Sequence, residues 1–144
     1  MNLEVGHNEI GDADEPAWGI ASDVIAIFER LGFPEPKPVP FMQLRHQIAQ
    51  KIHGLSQPNS ERVHDLIDLQ IIIPEKFSDF QELRITCMRL FKYRNLQSWP
   101  PTIVKNEKWE DLYINQSRGL PVLASLSDAV AWANELIATI ENSD

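Results

Sequence analysis

Apolar residues recur along this chain at helical spacing, and the breaks between them fall on proline, glycine and small polar residues. Ile20, Val24, Ile27, Phe28 and Leu31 share one helical face. Pro16 suits a first turn and the acidic stretch 12–15 suits the positive end of a helix dipole, so the spacing predicts a helix over 16–31. Gly32 stands where a left-handed cap would end it. Residues 34–40 hold four prolines and predict an extended connector, ending in a short edge strand near Val39. Leu44, Ile48, Ile52 and Leu55 predict a second helix over about 41–55. Asn59 or Ser60 can cap a third, with Val63, Leu66, Ile67 and Ile71 inward and Pro74 as its stop.

The run Ser78-Asp79-Phe80-Gln81 reads as a capping box for a fourth helix that buries Phe80, Leu83, Cys87, Leu90 and Phe91. Pro100 and Pro101 keep 96–107 irregular, and Trp109–Asn115 predicts a short helix. Ser125 caps a last one, whose stripe is Ala129, Ala133, Leu136, Ile137 and Ile140. At the opposite end, Leu3 and Val5 alternate with Asn2, Glu4 and Gly6, which predicts a short strand within 1–10. No internal repeat or separating linker interrupts the pattern. The expectation is one domain over 1–144, a strand element at 1–10 and a helical region at 16–144: mainly α with a small β element (α+β).

Composition narrows the class. The chain is 43% hydrophobic and 24% charged, ordinary for a globular protein. Its 13 basic and 21 acidic residues give a net charge of −8, which disfavours broad coating of a phosphate backbone but leaves a local basic pocket open. Nucleic acid is therefore not excluded as a partner. Cys87 is the only cysteine, so neither an intrachain disulfide nor a thiolate cluster can form, and a small buried hydrophobe is the expected role. The first residues lack the basic and apolar regions of a signal peptide, and no apolar run is long enough to span a bilayer. A cytoplasmic protein without a membrane partner is expected.

Ionisable groups concentrate on the second and third helices. Asp65 and Asp68 lie three apart and Arg62 is three before Asp65, so all share one helical side. If the two helices pack as a hairpin, Lys51 approaches that face, and a partly desolvated lysine oriented by a carboxylate is suited to hold a phosphate. The same spacings also describe a solvated face of surface pairs built from Glu61, Arg62, Asp65 and Asp68. His64 and Asp68, four apart, have a spacing that fits two metal ligands, so a small metal-dependent enzyme using His64, Asp65 and Asp68 is a further alternative. His7, His46 and His53 show no metal-ligand spacing. Glu4, on a strand beside the acidic loop, is a candidate ligand for a divalent cation. The four tryptophans are too scattered for a base-stacking platform. There is no glycine-rich phosphate loop, nucleophile elbow or dinucleotide fingerprint.

The run Gln43-Leu44-Arg45-His46-Gln47-Ile48-Ala49-Gln50-Lys51-Ile52-His53-Gly54-Leu55, followed by Arg62-Val63-His64-Asp65-Leu66-Ile67-Asp68-Leu69, resembles the AbiEii/AbiGii family of nucleotidyltransferase toxins. In that family a helix with a functional lysine precedes an R-x-x-D-x-x-D-L helix with a functional aspartate. Lys51 matches the lysine; Asp65 is the better match for the aspartate and Asp68 the second. The resemblance implies the helical half of a polymerase-β-like nucleotidyltransferase, working with a cognate antitoxin in phage defence or a toxin–antitoxin system. Lys51, Asp65 and Asp68 would then be its catalytic residues, and Arg45 and Arg62 would bind substrate. Mg²⁺ held by carboxylates would align a nucleoside triphosphate for in-line transfer, with Glu4 matching the family's third carboxylate. The family's Gly-Ser turn and D-x-D pair have no counterpart; Gly11-Asp12-Ala13-Asp14 has the aspartate spacing but sits in a loop after the strand. The resemblance therefore implies a partial or degenerate enzyme completed by a complementary chain. The alternative is a non-catalytic helical protein-interaction module.

Overall fold

A computed structural model describes residues 9–12, 14 and 16–144. The strand predicted within 1–10, with Glu4 and His7, falls almost entirely outside the described residues. The fold is mainly helical with one small antiparallel sheet, an α+β arrangement. Its contacts divide the chain into two compact units, Met1–Gln43 and Leu44–Asp144.

In the first unit, β1 (Ala17–Gly19), α1 (Ser22–Arg30) and β2 (Val39–Phe41) follow in order. β1 and β2 pair antiparallel, with Ala17 opposite Phe41, Trp18 opposite Pro40 and Gly19 opposite Val39. This corrects two predicted boundaries. The first helix begins at Ser22 rather than Pro16, and Phe41 belongs to a strand rather than to the second helix. The prolines hold 34–40 extended, and the ladder this offers to 17–19 replaces the first turn of helix. α1 ends as its glycine predicts. Gly32 has φ +74°, its N–H donates to Glu29 O at 3.0 Å, and Phe33 N–H donates to Phe28 O at 2.9 Å. That pair of bonds is a Schellman cap, and the Phe28 and Phe33 rings meet edge-on at 5.9 Å across it. The stripe of α1 is not a core face, since none of its residues is buried.

The second unit holds α2 (Leu44–Leu55), α3 (Val63–Lys76), α4 (Phe80–Arg94), α5 (Trp109–Ser117) and α6 (Leu126–Glu141). α2 lies against α3 and α4, α3 against α5 and α6, and α6 also against α4 and α5. Ile48, Ile52, Leu66, Leu69, Leu83, Leu90, Phe91, Trp109, Tyr113 and Ile140 fill the space between them. The predicted inward stripes of α2, α4 and α6 are buried apart from Leu44 and Phe80, which are half-buried. On α3, Val63, Leu66 and Ile67 are buried and Ile71 is half-buried. Asp65 and Gln70 are buried with them.

Three local expectations shift. α3 continues past Pro74 to Lys76, because a proline in the last turn costs only one backbone bond there. The cap of α4 is Asp79, whose carboxylate accepts from Glu82 N–H at 3.1 Å, one residue later than the predicted box. α3 begins at Val63, not at Asn59 or Ser60. Two buried polar side chains, Gln70 and Tyr113, pair with each other and with the backbone of Leu123. Gln70 Nε2 donates to Tyr113 Oη at 3.2 Å, its Oε1 accepts from Leu123 N–H at 2.9 Å, and Tyr113 Oη donates to Leu123 O at 2.6 Å. Asn134 pairs with both backbone groups of Ile103, which fastens the irregular segment to α6.

Cys87 is fully buried, and burial pushes its thiol well above the ordinary range. In native protein at pH 8, Ellman's reagent is expected to titrate no thiol within minutes, and one thiol after denaturation in guanidinium. Rapid labelling of native protein would contradict that burial.

Candidate functional site

The turn between α2 and α3 is built to hold its last residues still. Asn59 takes a left-handed φ of +56°, a conformation asparagine tolerates better than most residues. Ser60 Oγ donates to Gly54 O at 2.8 Å and accepts from Arg62 N–H at 3.2 Å. Ser60 O in turn accepts from Asn106 Nδ2 at 2.8 Å and from the indole of the buried Trp109 at 2.5 Å. The hydroxyl read as a possible helix cap thus fastens the turn instead. Arg62 stands at the N-terminal boundary of α3 and Asp65 in its first turn, where the helix dipole favours a carboxylate.

Around this turn the two helices bring four ionised groups together. Lys51 Nζ donates to Asp65 Oδ1 at 3.2 Å and to Asp68 Oδ2 at 2.7 Å. Arg62 Nε donates to Asp65 Oδ2 at 2.5 Å. His64 Nε2 lies 3.5 Å from Asp65 Oδ1. The Asp65 side chain is 1% exposed, against 20% for Lys51, 52% for Arg62 and 43% for Asp68. The solvated face that the spacings also allowed therefore applies to Glu61, which pairs with the exposed Lys108, but not to Asp65.

A buried carboxylate needs its charge compensated, and Asp65 has one cation on each oxygen. At Lys51, burial works against the ammonium. The hydrogen bond to Asp68, the charge of Asp65 and the remaining contacts with both acids outweigh it, and hold the lysine pKa above its ordinary value. Lys51 stays charged throughout the neutral range. Gly54 makes room for the arrangement. A Cβ there would stand 2.8 Å from Arg62 Nε, so only a bare backbone lets the guanidinium lie against α2.

Of the residues marked in the sequence, Lys51, Arg62, Asp65 and Asp68 come together. Arg45 projects from α2 toward α4 instead, where it pairs with Glu82 at 3.0 Å. Glu4 lies outside the described residues. Gly54, Ser60 and Trp109 support the site without having been marked. In the sequence Ser60 and Trp109 read only as a helix cap and a helix start, and Gly54 leaves a trace as an isolated glycine within a helical run.

Asp65 and Asp68 do not fit Mg²⁺ between them. Asp65 and Asp68 both contact the Lys51 ammonium, and Asp65 also holds Arg62, so a divalent ion between them would meet two cations. Among the described residues no three histidine, cysteine, aspartate or glutamate side chains group as metal ligands. No described helix is long and apolar enough to cross a membrane. What the cluster can do is hold a lysine and an arginine at fixed positions beside each other, which suits an oxyanion. Comparison of the chain with protein-family models and with curated proteins finds no match in either.

Proposed function

We propose that the chain is a nucleotidyltransferase-like protein of the toxin–antitoxin or phage-defence kind, in which Lys51 and Arg62 hold the phosphates of a nucleoside triphosphate. The observation that carries this reading is the buried carboxylate of Asp65, whose two oxygens each orient a different cation. Asp65 is then a positioning residue. Both of its oxygens are engaged by cations, which leaves it poorly placed to take a proton from an acceptor hydroxyl. Arg62 uses only Nε on Asp65, and its terminal N–H groups have no partner among the described residues. Lys51 and Arg62 together match the charge of adjacent phosphate oxygens.

In this reading the metal-binding carboxylates that align the triphosphate come from a complementary chain, since Asp65 and Asp68 are committed to cations. Mg²⁺ bound there would supply the charge compensation for in-line transfer. The residues of this chain contribute binding and orientation. Calorimetric titration with a nucleoside triphosphate tests the reading. Lys51→Met is expected to weaken binding by roughly ten-fold or more, the equivalent of one charge-assisted contact. Wild-type protein that takes up no triphosphate with or without Mg²⁺ would reject it.

The second reading, a non-catalytic interaction module, is favoured by a different observation. The first unit exposes the large apolar side chains of Trp18, Leu31, Phe33, Val39 and Phe41, surface of the kind a protein partner would cover. The two readings part on the triphosphate, which the module has no use for.

A further inference from the structure

Asp65 and Asp68 both touch the Lys51 ammonium, but they are not equivalent. Asp65 is enclosed, and each of its oxygens is occupied, so it cannot leave without stranding two cations. Asp68 lies one turn further along α3 with its side chain 43% exposed, and only Oδ2 is engaged. The ammonium nevertheless sits closer to Asp68, at 2.7 Å against 3.2 Å. That is the spacing of a charge-assisted bond from nitrogen to an anionic oxygen, the distance a phosphate oxygen would take on the same ammonium.

We propose that Asp68 is an internal stand-in for a phosphate oxygen, capping Lys51 on its solvent side until an incoming polyphosphate displaces it. This rests on the phosphate-binding reading above and concerns how that same site is regulated. With Asp68 in place, the charges of Lys51, Arg62, Asp65 and Asp68 cancel and the cluster presents no net charge. When the Asp68 side chain swings into water, Lys51 and Arg62 both keep their bonds to Asp65, and the cluster carries one net positive charge facing outward. The exchange is open to Asp68 rather than Asp65 because the Asp68 carboxylate has water on one side, whereas Lys51 is only 20% exposed and must be met by an anion as Asp68 leaves. It also favours ligands with several anionic oxygens, since one carboxylate is replaced by an anion that reaches Lys51 and Arg62 together. The hydrogen bond to Asp68 is among the contacts that hold the Lys51 pKa above its ordinary value against burial.

The test is calorimetric titration of the full chain with inorganic triphosphate, without metal and at fixed ionic strength. Asp68→Asn is expected to bind about three- to five-fold more tightly than wild type, the fold-change matching loss of one half-exposed competing carboxylate. Asp68→Ala should show the same gain, and both variants should fold because the position is exposed. Glu61→Gln removes the same charge nearby, from a carboxylate that pairs with Lys108 and not with Lys51, and should change the affinity less than about two-fold. Equal gains in Asp68→Asn and Glu61→Gln would overturn the proposal, because bulk charge would then account for both. Unchanged or weaker binding by Asp68→Asn, with wild-type binding still dependent on Lys51, would overturn it while leaving the phosphate site intact. Absence of binding by wild type and by folded Asp68→Asn would remove both.

Discussion

Asp65→Asn is expected to destabilise the protein by about 3 kcal/mol, the lower end of the cost of breaking a buried ion pair. The amide keeps the shape of the side chain and removes its charge. Lys51 would retain Asp68, and Arg62, half in water, could solvate its head group, which is why the upper end is not reached. For a chain of this size the loss corresponds to a fall of roughly 10 °C in the thermal midpoint. Adding Lys51→Met to Asp65→Asn should cost less than the sum of the two single variants, because the Lys51–Asp65 contact is lost only once. Melting curves of the two single variants and the double variant measure the coupling. A drop below about 1 kcal/mol for Asp65→Asn would place Asp65 among ordinary surface pairs and end its role in orienting the cations.

The second large effect is expected at Trp109, which bears on the cluster through the turn before α3. Trp109→Ala should lower stability by about 4 kcal/mol, since the indole is 1% exposed and its removal leaves a large cavity. Trp109→Phe keeps most of the packing but loses the bond to Ser60 O, and should cost about 1 kcal/mol. Urea unfolding of both variants separates the two contributions. The turn that fixes Arg62 hangs on this indole and on Asn106, so Trp109→Phe should also weaken triphosphate binding more than its stability cost alone would suggest. If Trp109→Ala unfolds at nearly the same urea concentration as wild type, the assignment of α5 to the core fails.

The helices of the second unit were legible because their apolar stripes are long and regular. Ala129, Ala133, Leu136, Ile137 and Ile140 face inward as their spacing predicts, and Ser125 caps α6 by accepting from Asp128 N–H at 3.0 Å. The first unit was less legible. A ladder of three residue pairs decided whether 17–19 became strand or helix, and that ladder depends on a partner 20 or more positions away. At the site, the convergence of Lys51 with Asp65 and Asp68 could be read as soon as the two helices were taken as a hairpin. The burial of Asp65 could not, because spacing alone gives an enclosed carboxylate and a solvated one the same signature. Arg45 shows the opposite failure. It shares a helix with Lys51 but leaves from a different side, and only the packing of α4 against α2 determines that it meets Glu82.

Position 54 carries hydrogen where nearly any other residue would place carbon. A helix interior loses about 1 kcal/mol of intrinsic preference for each such residue relative to alanine. Here that sacrifice creates a shallow notch in one helix, and a flat guanidinium from the next rests flush inside it. The seam between the two helices is therefore shaped by a missing methyl group as much as by any side chain present.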